Sequence, residues 1–236
     1  MAHVVAVIPA RWASTRFPGK PLAILAGEPM IAHVVRRASS AASVDVVVVA
    51  TDDERIADAA RRAGAEAVMT GECASGTDRV AAAVRGMSGL DLVVNLQGDE
   101  PLLSGANVDA LVAGMRARPE VPIGTLCRPL ATERVGDPNA VKVVRRSDGR
   151  ALYFSRSTVP YPRDRGAAEP LWRLHLGIYA FRPAALERFV ALGSSGLERA
   201  EGLEQLRALE HGMDLLVLDA PDDAFDVAPG WLFNGM

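Results

Sequence analysis

His3-Val-Val-Ala-Val-Ile8, followed at once by Pro9-Ala-Arg-Trp-Ala-Ser-Thr-Arg-Phe-Pro-Gly-Lys-Pro-Leu22, is the stretch that decides the fold. A short, unbroken apolar run suits a strand buried on both faces, which is the situation of a parallel strand covered by crossover helices. The run stops at a loop of small and basic residues. In open α/β sheets ligands bind at the carboxyl ends of the strands, so this loop stands where a ligand is expected. Ala13, Ser14 and Gly19 let backbone N–H groups approach an anion, and Arg11, Arg16 and Lys20 add positive charge. The combination is a triphosphate cradle that lacks the lysine-serine pair of a P-loop. Its bland alternative is a solvated basic turn.

The same pattern continues outward. Asp45–Ala50 (DVVVVA), Glu66–Met69 and Asp91–Leu96 (DLVVNL) read as further strands. Between them Met30–Ala41, Asp53–Ala63 and Thr77–Met87 carry apolar residues at helical spacing, and Gly64 stands where a C-terminal cap glycine belongs. Right-handed crossovers then give a doubly wound, nucleotide-binding half over roughly the first 100 residues. The second half is less regular. Val141–Val144 and Ala151–Phe154 flank Arg146-Ser-Asp-Gly149, a hairpin signal. Trp172–Phe181 and Leu215–Leu218 read as strands, and Leu197–His211 as one helix. No internal repeat or low-complexity tract is present.

Composition narrows the class of function. The chain has 236 residues, 49% hydrophobic and 23% charged, with a net charge of −3, so it folds and carries no basic stripe for nucleic acid. Two distant cysteines, Cys73 and Cys127, lack metal-ligand spacing and read as reduced packing residues. The N-terminus has no signal-peptide pattern, and no apolar run approaches the ~20 residues of a bilayer span. The chain is expected to be soluble and cytoplasmic, with no nucleic-acid and no membrane partner.

A second chemical motif is Asn95-Leu-Gln-Gly-Asp-Glu-Pro101, at the end of the fourth predicted strand. A carboxylate beside a glycine at a strand end suits Mg²⁺, which takes oxygen ligands and keeps several waters. Asp99 is the expected ligand, and Gln97 offers a donor and an acceptor to a base edge or ribose. The alternative is that Asp99 and Glu100 cap the next helix, which begins near Ser104.

These strings, with Ser75-Gly-Thr-Asp-Arg79, resemble the 3-deoxy-manno-octulosonate (Kdo) cytidylyltransferases. Asp137-Pro-Asn-Ala-Val-Lys-Val143, Ala151-Leu-Tyr-Phe-Ser-Arg-Ser157, His175-Leu-Gly-Ile-Tyr179 and Leu203-Glu-Gln-Leu-Arg207 are similar in order and spacing, so the resemblance runs from about Val4 to His211. It implies an α/β fold with a doubly wound, mostly parallel sheet of the nucleotide-diphospho-sugar transferase kind and a small inserted lobe. One nucleotidyltransferase domain, 1–236, would hold nucleotide over about 1–120 and sugar over about 121–220, followed by an atypical tail, 221–236.

The implied partners are CTP and a Kdo-type acid sugar, the implied cofactor is Mg²⁺, and a homodimer is compatible. Ala10, Arg11, Ser14, Lys20, Arg79 and Gln97 would bind nucleotide, with Arg11, Lys20 and Asp99 as the catalytic set. Arg16, Arg156, His175, Tyr179, Glu204 and Gln205 would meet the sugar acid, whose carboxylate suits arginine and whose hydroxyls suit Glu, Gln and His. Glu204 and Gln205 could instead be a solvated helix face, and His175 a core histidine. The family closes with a Val-Asp-Thr-Pro-Glu-Asp type segment whose first aspartate binds metal. This chain reads Asp222-Asp-Ala-Phe-Asp226 there, and Asp226 is the nearest substitute. A cytidylyltransferase for an 8-amino analogue or a sialic acid, and an inactive nucleotide-binding relative, stand as alternatives.

Overall fold

The computed structural model describes residues 3–13 and 17–222. Ser14, Arg16 and Asp226 lie outside the described residues. The first half runs β1 (His3–Ala10), a small hairpin of β2 (Ile24–Leu25) and β3 (Glu28–Pro29), α1 (Met30–Ala38), β4 (Val46–Thr51), α2 (Glu54–Arg62), β5 (Glu66–Met69), α3 (Gly76–Val84), β6 (Leu90–Asn95) and α4 (Gly105–Ala117). The second runs β7 (Ile123–Pro129), β8 (Lys142–Arg145), β9 (Ala151–Ser155), α5 (Arg165–Ala168), β10 (Arg173–Phe181), α6 (Pro183–Ala191), α7 (Gly196–Glu201), α8 (Leu206–Glu210) and β11 (Leu215–Asp219).

Nine strands among the described residues form one sheet, ordered β11-β7-β10-β6-β1-β4-β5, with β8 on β10 and β9 on β8. β4 and β6 both pair parallel with β1, and β5 extends β4 in the same sense. β10 runs antiparallel between β6 and β7, while β11 closes the far edge parallel to β7. The sheet is therefore mostly parallel with one reversed central strand, as expected of this fold class.

The continuous apolar runs are explained by what covers them. Val4, Ala6 and Ile8 of β1 pack on one face with Ile31 and Val34 of α1, Ile56 of α2 and Leu111 of α4. Val5 and Val7 pack on the other with Val80 of α3, Leu186 of α6 and Leu206 of α8. Each such aliphatic side chain removed from water contributes ~1.5–3 kcal/mol, which is why a mid-sheet strand tolerates no polar alternation. A separate small core of Leu130, Val135, Ala140, Ala168, Trp172 and Leu174 gathers the segments that precede β8 and β10.

The expected helix over Leu197–His211 is corrected. Gly202 adopts a left-handed conformation (φ 62°) and ends α7, and the chain turns through Glu204 before α8 begins. Only glycine takes that conformation at little cost, so the break is written in its backbone. The turn buries Leu203 and Gln205. β7 and α6 are elements that the hydrophobic pattern did not announce. The hairpin turn is as expected, with Gly149 at φ 86°.

Candidate active site

The strand order brings the two motif loops together. Because β1 and β6 are neighbours and the chain leaves β1 in opposite directions along the sheet, the loops after Ala10 and Asn95 share the switch point where α/β sheets bind ligands. A Cβ on Gly98 would stand 2.8 Å from the carbonyl oxygen of Pro9, so only glycine lets the second loop lie against the first. Across this contact Lys20 Nζ donates to Asp99 Oδ2 at 2.6 Å. The lysine side chain is 16% exposed and the aspartate 42%, so the pair opens to solvent on the acid's side.

The basic loop is held from behind. Gly19 donates its N–H to the Trp12 carbonyl at 3.0 Å, and a Cβ on Gly19 would strike the Trp12 ring at 2.8 Å. On that ring lies the Arg55 guanidinium, 3.4 Å from its centroid. Arg55 also makes a two-pronged ion pair with Asp53, the N-cap of α2, and its hydrogen bonds hold the Asp53 carboxyl below its ordinary range. Asp52 accepts from the Trp12 N–H at 3.1 Å through Oδ1 and from Arg79 at 2.9 Å through Oδ2. Arg79 is buried and also donates to Thr70. Its guanidinium thus ties the first turn of α3 to the basic loop. Ala10 is buried at the strand end, and Arg11 is exposed.

The other half of the cleft is built on β10. Tyr179 and His175 lie two pleats apart, their rings 5.5 Å apart at the centroids, and Phe154 meets the His175 ring edge-on at 4.8 Å. A bulge interrupts the β10–β7 ladder between Leu176 and Tyr179, and the Thr125 hydroxyl donates there to the carbonyls of Ile178 (2.7 Å) and Leu176 (3.1 Å). With its one hydrogen so engaged, Thr125 Oγ1 accepts from His175 Nε2 at 3.0 Å, which assigns the Nε2–H tautomer. Desolvation pushes the His175 pKa down to about 3, so the ring is neutral. Burial, and then the carboxylates of Glu204 and Glu100, push the Tyr179 phenol well above its ordinary value. Gln97 Nε2 donates to the Gly177 carbonyl at 3.2 Å, joining the β6 loop to the bulge.

Beside Tyr179, Glu204 Oε2 accepts from the Thr77 hydroxyl at 2.7 Å, and Asn95 Nδ2 donates to that same hydroxyl at 3.2 Å. Three polar atoms here are buried without a partner among the described residues: Glu204 Oε1, Gln205 Nε2 and Asn95 Oδ1. Leaving such atoms unpaired costs about 1–3 kcal/mol each, and native folds keep them chiefly where a ligand or water completes them. Thr77, Tyr179, Glu204 and Gln205 share with the core residues Ile123, Phe181, Phe189 and Leu215 the lining of a small cavity with room for about one water-sized group. A solvated helix face is thereby excluded for Glu204 and Gln205, which sit in the turn between α7 and α8 with Gln205 buried.

Arg156 reaches onto backbone. Nε donates to Glu201 O at 2.6 Å, Nη1 to Pro138 O at 2.9 Å and Nη2 to Gly202 O at 3.4 Å, which clamps β9 to the end of α7. Lys142, fully buried, gives its ammonium to the carbonyls of Asp137 (2.9 Å) and Arg156 (2.5 Å), and so orders the loop before β8. Burial holds its pKa below the ordinary lysine value. Cys127 is buried with its thiol pushed up to about 11, the state of an unreactive packing residue. A larger groove, of about 950 Å³, lies elsewhere, between the β8–β9 hairpin and β11. Along it Arg145 pairs with Asp219 and Arg146 with Asp148.

Three residues of the cleft escaped the sequence reading: Asp52, Thr77 and Asn95. Each carried one usable signal, a polar residue at or just past the carboxyl end of an apolar strand (Asp52, Asn95) or in the first turn of a helix facing that end (Thr77).

The fit of a divalent ion can be judged from the donor set. Asp99 offers a half-exposed carboxylate at the mouth of the cleft, opposed by one lysine. No group of three or more His, Cys, Asp or Glu side chains is gathered among the described residues. The Asp99 carboxylate is of the kind that a hard ion such as Mg²⁺ takes while keeping waters.

A doubly wound sheet with a cation–carboxylate pair over its switch point, beside buried and unpaired polar atoms, suits a nucleotidyltransferase. Comparison with known proteins narrows the class. The cytidylyltransferase family profile matches residues 5–215. A 3-deoxy-manno-octulosonate cytidylyltransferase of Anaeromyxobacter dehalogenans strain 2CP-1 is 54% identical, covering 94% of this chain and 95% of that one. Another, of Acidobacterium capsulatum, is 49% identical over 95% and 91%. A solved CMP:2-keto-3-deoxy-manno-octonic acid synthetase complexed with CTP superposes with a TM-score of 0.88 at 42% identity, covering 92% of this chain and 90% of that one. A Leptospira borgpetersenii cytidylyltransferase, 19% identical with a TM-score of 0.61, shares the fold. The chain belongs to the 3-deoxy-manno-octulosonate cytidylyltransferase family.

Proposed function

We propose that the chain activates 3-deoxy-manno-octulosonate by transferring CMP to it from CTP, with release of pyrophosphate, in support of lipopolysaccharide synthesis. The observation that carries the reading is one cleft with two unlike walls. Lys20 and Asp99 supply accessible charge at the switch point, and Glu204 and Gln205 supply buried, unpaired hydrogen-bonding atoms beside Tyr179. Gln97 joins the walls through Gly177. A triphosphate fits the first wall and a polyol acid the second.

In this reading Arg11, Ser14 and Lys20 hold phosphate oxygens, with the backbone at Ala10 under the nucleotide, and Arg16 serves where sugar and phosphate meet. Gln97 meets base or ribose, and Arg79 fixes the loop through Asp52. Arg156 keeps N–H groups of its fork for the sugar carboxylate, while His175, Tyr179, Glu204 and Gln205 meet hydroxyls. The sugar's anomeric hydroxyl attacks the α-phosphorus in line and pyrophosphate leaves. No covalent enzyme intermediate is required, so positioning and charge neutralisation supply the rate. Asp99, with Asp226, would hold Mg²⁺, which when bound neutralises phosphate charge. Nucleotide is assigned to about 1–120 and sugar to about 121–220 of a single domain.

No helix among the described residues is long and apolar enough to cross a membrane, consistent with work in the cytoplasm on two small polar substrates. A homodimer belongs to the same reading, and sedimentation velocity tests it. The decisive assay is pyrophosphate release with CTP, Mg²⁺ and Kdo. Release with an 8-amino analogue or a sialic acid, but not with Kdo, would reassign the sugar. CTP binding without release would make the chain an inactive relative.

A further inference from the structure

We propose that Thr77 is a positioning residue for the sugar acid, acting through Glu204. The proposal rests on the reading of Glu204 as a sugar contact. Thr77 lies in the first turn of α3, in the nucleotide half, yet its hydroxyl reaches across to the turn between α7 and α8. It is 3% exposed, and Asn95 beside it is 2% exposed, so neither group has water to satisfy it.

The direction of the hydrogen bonds is what gives the arrangement content. A hydroxyl owns one hydrogen. Thr77 Oγ1 accepts from Asn95 Nδ2, which leaves that hydrogen for Glu204 Oε2 at 2.7 Å. Asn95 is itself fixed, since its backbone pairs with Val7 of β1 on one side and Tyr179 of β10 on the other. The amide, the hydroxyl and the carboxylate therefore form a one-way relay from the centre of the sheet. Its effect is to fill one oxygen of Glu204 and leave the other, Oε1, buried, unpaired and an acceptor only. The adjacent Gln205 Nε2 is buried, unpaired and a donor only. A hydroxyl both donates and accepts, so one hydroxyl that reaches both atoms satisfies them, and both residues line the small cavity. The relay thus selects a hydroxyl-bearing ligand and sets the angle at which it enters, and Thr77 does so without touching it.

The test separates this role from a merely structural one. Thr77→Val keeps the shape and removes the hydroxyl. The expected result is a rise of about tenfold in the KM for Kdo, the size of one lost charge-assisted hydrogen bond, with the Kd for CTP unchanged. Thr77→Ser restores the hydroxyl and is expected to return KM to within about twofold of wild type, as a retained hydrogen bond requires. Thr77→Ala, read by the same criteria, serves if Thr77→Val does not fold. In a Glu204→Gln background Thr77→Val is expected to add nothing, because the group through which it acts has been altered. Wild-type sugar KM in Thr77→Val, alongside a raised one in Glu204→Gln, overturns the positioning role and leaves the pocket standing. Wild-type sugar KM in Glu204→Gln overturns the reading of the pocket itself. Equal losses of CTP and sugar affinity in Thr77→Val, without rescue by serine, also overturn the proposal.

Discussion

The two walls of the cleft solve different physical problems. On the phosphate wall the charges face outward. Lys20 meets Asp99 at a contact open to water, and the rigid parts (Trp12 between Gly19 and Arg55, Arg79 on Asp52) lie behind it. On the sugar wall the polar atoms are buried and directional, and three of them lack partners. An ion pair near water can be exchanged for phosphate at little cost, since exposed pairs are worth ~0–1 kcal/mol. Buried, unpaired atoms cannot rearrange so cheaply, and hence they discriminate by geometry. Under the proposed function, the contrast gives electrostatic capture to one wall and shape-specific selection to the other.

Substitutions can break that contrast. The largest effect is expected from Asp99→Asn, which removes the accessible carboxylate. Turnover across a Mg²⁺ titration should fall about 1,000-fold at saturating CTP, the equivalent of several kcal/mol of lost charge stabilisation, while CTP still binds. Asp226→Asn, assayed in parallel, should also lose activity. Wild-type turnover in Asp99→Asn would remove the metal assignment. Next comes Lys20→Ala, expected to lower kcat/KM for CTP roughly 10- to 100-fold, as the loss of a charged hydrogen bond worth ~1.5–3 kcal/mol predicts. Its thermal midpoint should stay near wild type, because the pair with Asp99 is solvent-facing. A large drop in stability with unchanged kinetics would move Lys20 from the site to the scaffold.

Arg156→Lys sharpens the comparison on the sugar side. Lysine keeps the charge but loses the fork that spans Glu201, Pro138 and Gly202. The Kdo KM should rise about fivefold, roughly one lost hydrogen bond, with CTP affinity intact and the melting temperature lowered. If CTP affinity fell and the sugar KM did not, Arg156 would belong to the other wall.

The smallest effect concerns His175. Its folded pKa, about 3, lies below its unfolded value of 6.5, so the unfolded chain takes up a proton first as pH falls. The stability this contributes is fully present above pH 6.5 and is lost between there and about 3. His175→Gln should flatten the fall of the urea midpoint over that window by at most one proton's worth of slope. An unchanged slope would show that the ring titrates normally in the folded protein.

How far the sequence could be read follows the same division. β1, β4 and β6 were legible because strands buried on both faces leave unbroken apolar runs, and β5, a short edge strand, was legible from its position after the glycine that ends α2. β7 (IGTLCRP) was not legible, since its pattern is broken for tertiary reasons. Gly124 is there because a Cβ would come within 2.6 Å of the Met115 sulfur, and Thr125 because it plugs the bulge of β10. The expected helix over Leu197–His211 has helix formers on both sides of Gly202; the glycine permits the left-handed end, and the burial of Leu203 and the clamp from Arg156 select it. In the cleft, Lys20 and Asp99 were readable from their loops. Thr77, Asn95 and Asp52 act through partners on other elements, and no local pattern records a contact across the sheet.

The reversal of β10 also bears on the order in which the chain can be completed during synthesis. Once β6 has emerged, β1, β4, β5 and β6 can pair among themselves, but one edge of β6 is left with open backbone groups. Its partner is β10, which comes after α4, the lobe hairpin and β7. An unpaired, apolar edge is the part of a nascent sheet most prone to wrong partners. The wait for β10 is therefore the vulnerable interval in the life of this protein, and shielding that edge is the task a chaperone would have to perform.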